Sequence, residues 1–242
     1  TVKSTVEIPT QPGFAYLFSL KKLEKLRKTR NKSSKANAFT LLFGKLFLYV
    51  MKLLSSKQRS NVLHSIYKNT RYYTIRISWK KDNDYYAFID IYIHGETNGG
   101  KWSKSLKQGD IITSINEYKE KSQHLNKGKA LLIADETSLP AMSAILEKWT
   151  NQIAPEVIVV TNDKKEASYL DEVKNKSYSV HYLSNSENLC TNIIETIEKI
   201  DKIETVWGAL EKGISKELKK YFRNTLKIES KNNRFIGYWV SG

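Results

Sequence analysis

Arg71-Tyr72-Tyr73-Thr74-Ile75-Arg76 is the most informative segment of this chain. Its β-branched and aromatic residues predict a strand, in which the odd-numbered residues share one face and the even-numbered residues share the other. An Arg beside a Tyr on a strand suits a flat, phosphorylated cofactor, because the ring stacks on it and the guanidinium binds phosphate through paired hydrogen bonds. Taken alone, the segment also fits an ordinary strand with exposed Tyr and Arg side chains.

Four later segments carry further motifs. In chain order they lie at residues 88–95, 99–103, 109–110 and 134–141. The first is an apolar run that ends in His-Gly, and the second is a glycine-rich turn into a helix that carries a Trp. The third is Gly-Asp, and the fourth reads Ala-Asp-Glu-Thr-Ser-Leu-Pro-Ala.

With Arg71-x-Tyr73-Thr74, these segments resemble the ordered motifs of the ferredoxin-reductase-like superfamily, in the form found in siderophore-interacting proteins (ferric-siderophore reductases). Trp207, Glu211 and the ending Gly237-Tyr238-Trp239 resemble the same family. The resemblance covers about residues 71–242. It implies a β-barrel FAD domain over residues 1–120 and an α/β parallel-sheet NAD(P)H-binding domain over residues 127–242.

The resemblance also implies roles for single residues. Arg71 is expected to hold the flavin phosphates, Tyr73 to pack on the isoalloxazine, and Thr74 to lie near its reactive nitrogen, so that Thr74 and Tyr73 are the catalytic candidates. The implied cofactor-binding residues are Arg71, Tyr73, Thr74, His94, Gly95, Gly99, Gly100, Lys101, Trp102, Ser103, Asp135, Glu136, Thr137, Glu211, Tyr238 and Trp239. Thr137 and Glu211 are expected near the nicotinamide path.

Two motifs depart from the family pattern. The glycine turn is Gly99-Gly100-Lys101, where the family usually has Gly-Pro-Ala and a longer approach to the Trp. The segment after Trp207 contains Ala209-Leu210-Glu211, where the family has Ala-Gly-Glu. The second departure concerns the loop near Leu210, which in the family faces the cofactors.

Composition limits the classes of partner. The 242 residues include 40 Lys and Arg against 25 Asp and Glu, a net charge of +15, which predicts an anionic partner. Nucleic acid, anionic membrane and an anionic small molecule all fit this charge, but no nucleic-acid-binding motif is present, and nucleic acid is not expected. The resemblance supplies anionic ligands: flavin pyrophosphate, a pyridine nucleotide (NADPH or NADH), and a ferric siderophore or other anionic ferric chelate.

Cysteine and histidine usage argues against a resident metal. Cys190 is the single cysteine, and the four histidines lack metal-ligand spacing, so no protein-bound metal is expected. One cysteine fits a reducing compartment, and no signal peptide opens this sequence. We therefore expect a cytoplasmic protein.

Residues 20–56 predict an atypical helical insertion. Leucines recur among Lys and Arg near its start, and residues 39–54 form a strongly apolar run that Lys45 and Lys52 interrupt. The run is too short and too charged to span a bilayer. Packing on the barrel, a dimer interface, and a weak contact with a membrane surface all remain open for this segment.

From residue 130 onward, strand and helix patterns alternate, which is typical of a parallel α/β sheet. The strands are expected near 130–133, 157–160, 178–183, 205–207 and 234–240, and the helices near 138–149, 166–174, 188–199 and 215–226. In the first half, strands are expected near 71–79, 85–94 and 110–118, and the polar residues 116–129 predict a linker. No G-x-G-x-x-G is present, which argues against a standard dinucleotide fingerprint.

The sequence therefore favours a flavin reductase that passes electrons from NAD(P)H through FAD to a ferric chelate. Lys164-Lys165, just after a predicted strand, favour NADPH at least as much as NADH, since they would lie near an adenosine 2′-phosphate. The alternative is a non-catalytic protein on the same scaffold that binds an anionic ligand or a membrane surface.

Overall fold

The computed structural model describes residues 1–5, 7–8, 14–20, 55, 69–93, 95–119, 122–173 and 177–241. The chain forms two compact units. The first combines Thr1–Ala15, Tyr73–Tyr92 and Glu117–Gly242, and the second combines Tyr16–Tyr72 and Ile93–Asn116. His94 and almost all of the helical pair predicted at 20–56 lie outside the described residues. The boundary expected near residue 120 stays a prediction.

The first sheet contains the strand with the Arg-x-Tyr-Thr motif. Its strands are β1 (Val2–Ser4), β2 (Phe14–Ser19), β3 (Thr70–Lys81), β4 (Asp84–Ile89) and β5 (Ser114–Lys119). The spatial order is β1-β4-β3-β2-β5, and β4 runs antiparallel to both of its neighbours. A tight turn joins β3 to β4, and Asp82 adopts a φ of 55° in it, a conformation that Asp tolerates better than most residues.

Strand β3 contains a bulge. Ile75 pairs with Ile89 and Ile77 pairs with Phe88, so Arg76 is one extra residue on β3. The bulge interrupts the predicted alternation of faces at Arg76, while Thr74 and Ile75 just before it are both buried. The bulge redirects the chain immediately after the motif.

The second sheet is parallel, as predicted. Its strands are β6 (Ala130–Asp135), β7 (Glu156–Val160), β8 (Ser179–Leu183), β9 (Thr205–Glu211) and β10 (Asn233–Trp239). The order β10-β9-β6-β7-β8 places β6 at the centre. Both β6 and β9 are buried along their whole length, which explains their continuous apolar sequences.

Helices cover both faces of the parallel sheet. The described helices are α1 (Asn98–Ser105), α2 (Leu139–Glu147), α3 (Lys164–Ala167), α4 (Leu189–Ile197) and α5 (Lys212–Asn224). Helix α2 packs with Leu132 and Trp207 in one core. Helices α4 and α5 pack with Leu131 and Ile133 in the core on the opposite face. Among the described residues, no helix is both long and apolar enough to cross a bilayer.

Three expectations need correction. The polar residues 116–129 are not an irregular linker, because β5 runs to Lys119 and a 3-10 turn follows at Gln123–Asn126. The side-chain amide of Asn151 fixes this region by donating to the carbonyls of Leu125 and Gly128 at 2.9 and 2.8 Å. The helix expected at 166–174 is α3 followed by a 3-10 turn at Ser168–Glu172.

The third correction concerns strands of the first sheet. The strand expected at 85–94 ends at Ile89, and the strand expected at 110–118 starts at Ser114. Gly109, with a φ of 90°, and Asp110, which accepts from the Lys107 N–H at 2.9 Å, form a turn before β5 instead.

Gly208 gives a test of core packing. A Cβ at this position of β9 would lie 2.3 Å from Cε1 of Phe235 on β10, a ring that also packs against Phe222. We expect Gly208→Ala to lower the free energy of unfolding by about 1–3 kcal/mol, since the ring must move within a packed core. Urea unfolding at pH 7 measures this change.

The Phe235→Leu variant and the double variant complete a thermodynamic cycle. The smaller side chain leaves room for the new methyl group, so the double variant should lose less stability than the two single changes add up to. Strict additivity would contradict the steric cause.

Candidate functional site

Strand β3 presents the motif residues in contrasting environments. Arg71 and Tyr73 are half-buried, Tyr72 is exposed, and the Thr74 side chain is buried. One Nη of Arg71 donates to the carbonyl of Thr70 at 2.7 Å, which orients the guanidinium on the strand. A guanidinium carries five N–H donors in a planar fork, so bidentate phosphate binding requires two of the others.

Helix α1 begins at the predicted glycine turn. Thr97 caps it: the Thr97 hydroxyl accepts from the Gly100 N–H at 3.1 Å, and its carbonyl accepts from the Lys101 N–H at 2.9 Å. Gly99 and Gly100 are buried helical residues rather than an open turn. Because Thr97 takes the Gly100 amide, any phosphate contact at this helix would fall to the amides before it.

The other predicted residues of α1 have mainly structural contacts. Trp102 is buried and stacks on Phe18 with ring centroids 6.3 Å apart. The Ser103 hydroxyl donates to the Gly100 carbonyl at 2.9 Å. Lys101 is exposed and pairs with Glu96 at 3.4 Å, an exposed ion pair of the kind that contributes little to stability.

Asp135 organises the carboxyl end of the parallel sheet. Its side chain is 5% exposed, and its Oδ1 accepts from the Thr137 hydroxyl at 2.6 Å and the Thr137 N–H at 3.0 Å. Its Oδ2 accepts from the Trp239 indole N–H at 2.7 Å. Burial raises the pKa of Asp135, and the bonds from Thr137 and Trp239 oppose that rise. These bonds join the predicted residues Asp135, Thr137 and Trp239 into one group.

Ser138 extends this group to the neighbouring strand, and the sequence motifs gave it no role. Its fully buried hydroxyl lies 2.5 Å from the Ala209 carbonyl and accepts from the Asp135 N–H at 3.1 Å. The signal that could have singled it out is its place directly before an apolar helix with Pro140 in the first turn.

Glu211 has a different main contact from the one expected. Its Oε2 caps α5, accepting from the N–H groups of Gly213 and of Ile214, the latter at 3.0 Å. Burial raises its pKa, but the backbone N–H donors of Ile214, Ser241 and Gly213 outweigh burial and hold the pKa of Glu211 below its ordinary value. The preceding Leu210, the departure from the family pattern, is a buried strand residue in the core.

Carboxylates surround Tyr92 near the same edge. Burial, followed by the charges of Glu136, Glu166, Asp163 and Asp135, raises the pKa of the Tyr92 phenol. Asp163 and Glu166 flank Lys164 and Lys165, the residues expected to favour NADPH, in the sequence. Lys165 is exposed, and its backbone N–H donates to Asp163 Oδ1 at 2.8 Å.

The remaining expected residues lie near the surface. Gly95 has a φ of 53°, which favours glycine, and Tyr238 is partly exposed on β10. The described residues contain no group of His, Cys, Asp or Glu arranged to hold a metal ion. A strongly basic face lies on α5, where five exposed side chains point the same way: Lys212, Lys216, Lys219, Lys220 and Arg223.

Comparison with known families matches the half of the chain that contains the parallel sheet. The sequence model of the siderophore-interacting protein family matches residues 128–242. Over these residues the chain is similar to that family. This match confirms the family indicated by the sequence motifs.

A similar relative is the ferric acinetobactin reductase of Acinetobacter baumannii. It is 26% identical over 159 residues, which are 64% of this chain and 55% of that protein. The matched region therefore spans about half the length of this relative.

Solved structures extend the likeness to the full chain. A siderophore-interacting protein from Acinetobacter baumannii has a TM-score of 0.63 at 17% identity, covering 96% of this chain and 78% of its own. The siderophore-interacting protein SipS of Aeromonas hydrophila has a TM-score of 0.61 at 16% identity, with 96% and 86% covered. These likenesses establish the ferredoxin-reductase-like fold predicted from the sequence.

The cap on α5 predicts a pH dependence of stability. Because the folded pKa of Glu211 is lowered, its charge stabilises the fold above the unfolded pKa, and this contribution disappears as the pH falls through the folded value. We expect Glu211→Gln to be less stable than the parent protein by about 1 kcal/mol at pH 7, with the difference narrowing in acid. Urea unfolding between pH 7 and pH 4 measures it.

Glu229→Gln is the matched control, because Glu229 is exposed and precedes a short 3-10 turn that it does not cap through its side chain. If the difference in stability between Glu211→Gln and the parent protein stays constant with pH, the negative charge of Glu211 is not the cause of that difference.

Proposed function

We propose that this protein is a flavin-dependent reductase that passes electrons from NADH or NADPH through FAD to a ferric siderophore or a similar anionic ferric chelate, which then releases its iron. The observation that carries the proposal is the family match over residues 128–242, together with Arg71-x-Tyr73-Thr74 on the single strand β3. The relative named as a ferric reductase supports the reaction class.

The donor set of the first half fits FAD. Arg71 offers a planar fork for phosphate, Tyr73 offers a half-buried ring, and Thr74 offers a hydroxyl, all within one strand. Helix α1 starts at Asn98, and the amides of its first turn can bind an anion. We assign the pyrophosphate to Arg71 and α1, and the isoalloxazine to Tyr73 and Thr74.

When bound, FAD would supply hydride acceptance and single-electron transfer, the chemistry that side chains cannot perform. The chain contributes position and electrostatics. The Thr74 hydroxyl, buried beside the proposed ring site, supplies a hydrogen-bonding group in a place of low solvent access, where such groups act most strongly.

The nucleotide is assigned to the carboxyl ends of β6, β7 and β9, since open parallel sheets bind ligands there. Asp135 holds the Thr137 side chain and the Trp239 indole in fixed orientations through both of its oxygens. A rigid Thr137 hydroxyl and a rigid indole can orient an aromatic amide ring, because neither group must be ordered at the moment of binding.

The ferric chelate is the electron acceptor, and its iron is reduced from Fe(III) to Fe(II). Oxygen ligands hold Fe(II) less strongly than Fe(III), since the Coulomb attraction falls with the charge of the ion. The net charge of +15 favours an anionic chelate.

The spectrum of the purified protein tests the proposal directly. We expect a flavin absorbance that bleaches anaerobically on adding NADH or NADPH and returns on adding a ferric siderophore, with Fe(II) captured by a ferrous chelator. A colourless protein that takes up no FAD would contradict the proposal, and binding to anionic vesicles would then support the non-catalytic alternative.

Arg71 is the residue that decides flavin affinity. We expect Arg71→Ala to weaken FAD binding by roughly 10- to 100-fold, because no other side chain of the motif replaces a charge-assisted phosphate contact. Equilibrium dialysis or flavin fluorescence at low protein concentration measures the loss. Arg223→Ala on the exposed face of α5 is the control, and full FAD occupancy in Arg71→Ala would overturn the role assigned to Arg71.

The carboxylates near Tyr92 should decide the choice of nucleotide. A 2′-phosphate adds negative charge that Asp163 and Glu166 repel, so we expect Asp163→Asn/Glu166→Gln to raise kcat/KM for NADPH relative to NADH by roughly 3- to 10-fold. Lys164→Glu/Lys165→Glu should move the ratio the other way. If neither variant changes the ratio of kcat/KM for NADPH to that for NADH, the adenosine end of the nucleotide does not bind near these residues.

A further inference from the structure

Arg76 is a buried cation that three carboxylates share. Its side chain is 8% exposed, and its Nη1 donates to Asp90 Oδ2 at 3.1 Å and to Glu172 Oε2 at 2.8 Å. Its Nη2 lies 3.7 Å from Glu147 Oε1. Burial lowers the pKa of Arg76, but the hydrogen bonds with Glu172 and Asp90 outweigh burial and raise it above its ordinary value.

Tyr169 completes the cluster. The Arg76 Cζ lies 4.8 Å from the centroid of the Tyr169 ring, in cation–π range, and the phenol donates to Asp90 Oδ2 at 2.5 Å. Burial and the bond to Asp90 raise the pKa of Tyr169, so the phenol remains a donor at every physiological pH. Asp90 therefore binds two donors at once.

The members of this cluster come from four elements of one compact unit. Arg76 is the bulged residue of β3, and Asp90 directly follows β4. Glu147 is the last residue of α2, while Tyr169 and Glu172 belong to the 3-10 turn at Ser168–Glu172. One side chain thus ties the β3–β4 hairpin to two elements that pack around the parallel sheet.

The place of Arg76 in the chain gives this tie a functional meaning. Thr74, the proposed flavin contact, lies two residues before it on the same strand, and α2 follows immediately after Thr137 and Ser138. A helix is stiff, so fixing the end of α2 to β3 limits how far the loop at its start can drift from that strand.

We propose that Arg76 is a positioning residue: it holds strand β3, with Tyr73 and Thr74, at a fixed separation from the Thr137 loop, so that nucleotide and flavin meet within reacting distance. The inference rests on the proposed function. It assigns Arg76 to the rate of electron transfer from the nucleotide rather than to flavin affinity, since the contacts of Arg76 Nη1 and Nη2 are with protein carboxylates.

The substitution Arg76→Lys separates these effects. Lys keeps the positive charge but lacks the planar fork, whose Nη1 donates to Asp90 and Glu172 and whose Nη2 lies near Glu147. We expect the variant to bind FAD within about 3-fold of the parent affinity and to be reduced by dithionite at the parent rate. Its flavin should be reduced by NADH or NADPH roughly 10- to 100-fold more slowly, because small misplacements of reacting groups cost this much.

Two further variants grade the effect. Asp90→Asn should slow reduction more than Glu172→Gln, because Asp90 is bound by both Arg76 and Tyr169, whereas the Glu172 side chain is 66% exposed. Asp90→Asn also preserves the test if Arg76→Lys does not fold. Arg223→Lys, the same change at an exposed position of α5, is the control.

Stopped-flow reduction and hydrogen exchange of the peptide that contains β3 are measured on the same preparations. Faster exchange in β3 together with slower reduction by the nucleotide, at parent flavin affinity, supports the inference. The inference is overturned if Arg76→Lys and Asp90→Asn are reduced as fast as Arg223→Lys. It is also overturned if their reduction is slower only because they have lost flavin. If the parent protein binds no flavin, the proposed function is wrong. The hydrogen-exchange data still test Arg76 in that case. Unchanged exchange in Arg76→Lys and Asp90→Asn would show that Arg76 does not hold β3.

Discussion

The complete burial of β6 is the constraint on which the candidate nucleotide site depends. Every residue of Ala130–Asp135 is buried, so the strand can carry no polar side chain until its last position. A carboxylate at that position loses most of its water, and a buried charge is tolerated only when donors satisfy it. Thr137 and Trp239 meet this need, and their orientation follows from the desolvation of Asp135.

The parts of the fold that could be predicted are those whose signal is periodic or local. Continuous apolar runs identified β6 and β7, because burial imposes a pattern on a few neighbouring residues. The bulge at Arg76 could not be predicted, since it depends on how β3 and β4 pair. The contacts that hold Leu125 and Gly128 come from Asn151, more than twenty residues away in the chain.

In the candidate site, too, local features could be predicted from the sequence, whereas contacts between distant segments could not. Hydrogen bonds bring Asp135, Thr137 and Trp239 together in the structure, although Trp239 is 104 residues from Asp135. The sequence motifs could not show that Glu211 caps α5, because that contact depends on where β9 ends and the helix begins. Net charge was also a poor guide to local electrostatics: within a chain of charge +15, Arg76 is outnumbered by carboxylates, and Tyr92 lies among four of them.

Helices α1 and α5, each capped by a side chain, differ in what their amino ends can attract. A helix amino terminus carries partial positive charge and favours anions. At α5 the Glu211 carboxylate already supplies a negative charge to the first-turn amides, so a phosphate there would meet repulsion as well as competition. At α1 the cap is the neutral Thr97 hydroxyl, which takes one amide and leaves the helix dipole uncompensated. Electrostatics therefore favours α1 over α5 as the end that accepts a pyrophosphate, in keeping with the assignment of FAD to the half of the chain that contains Arg71.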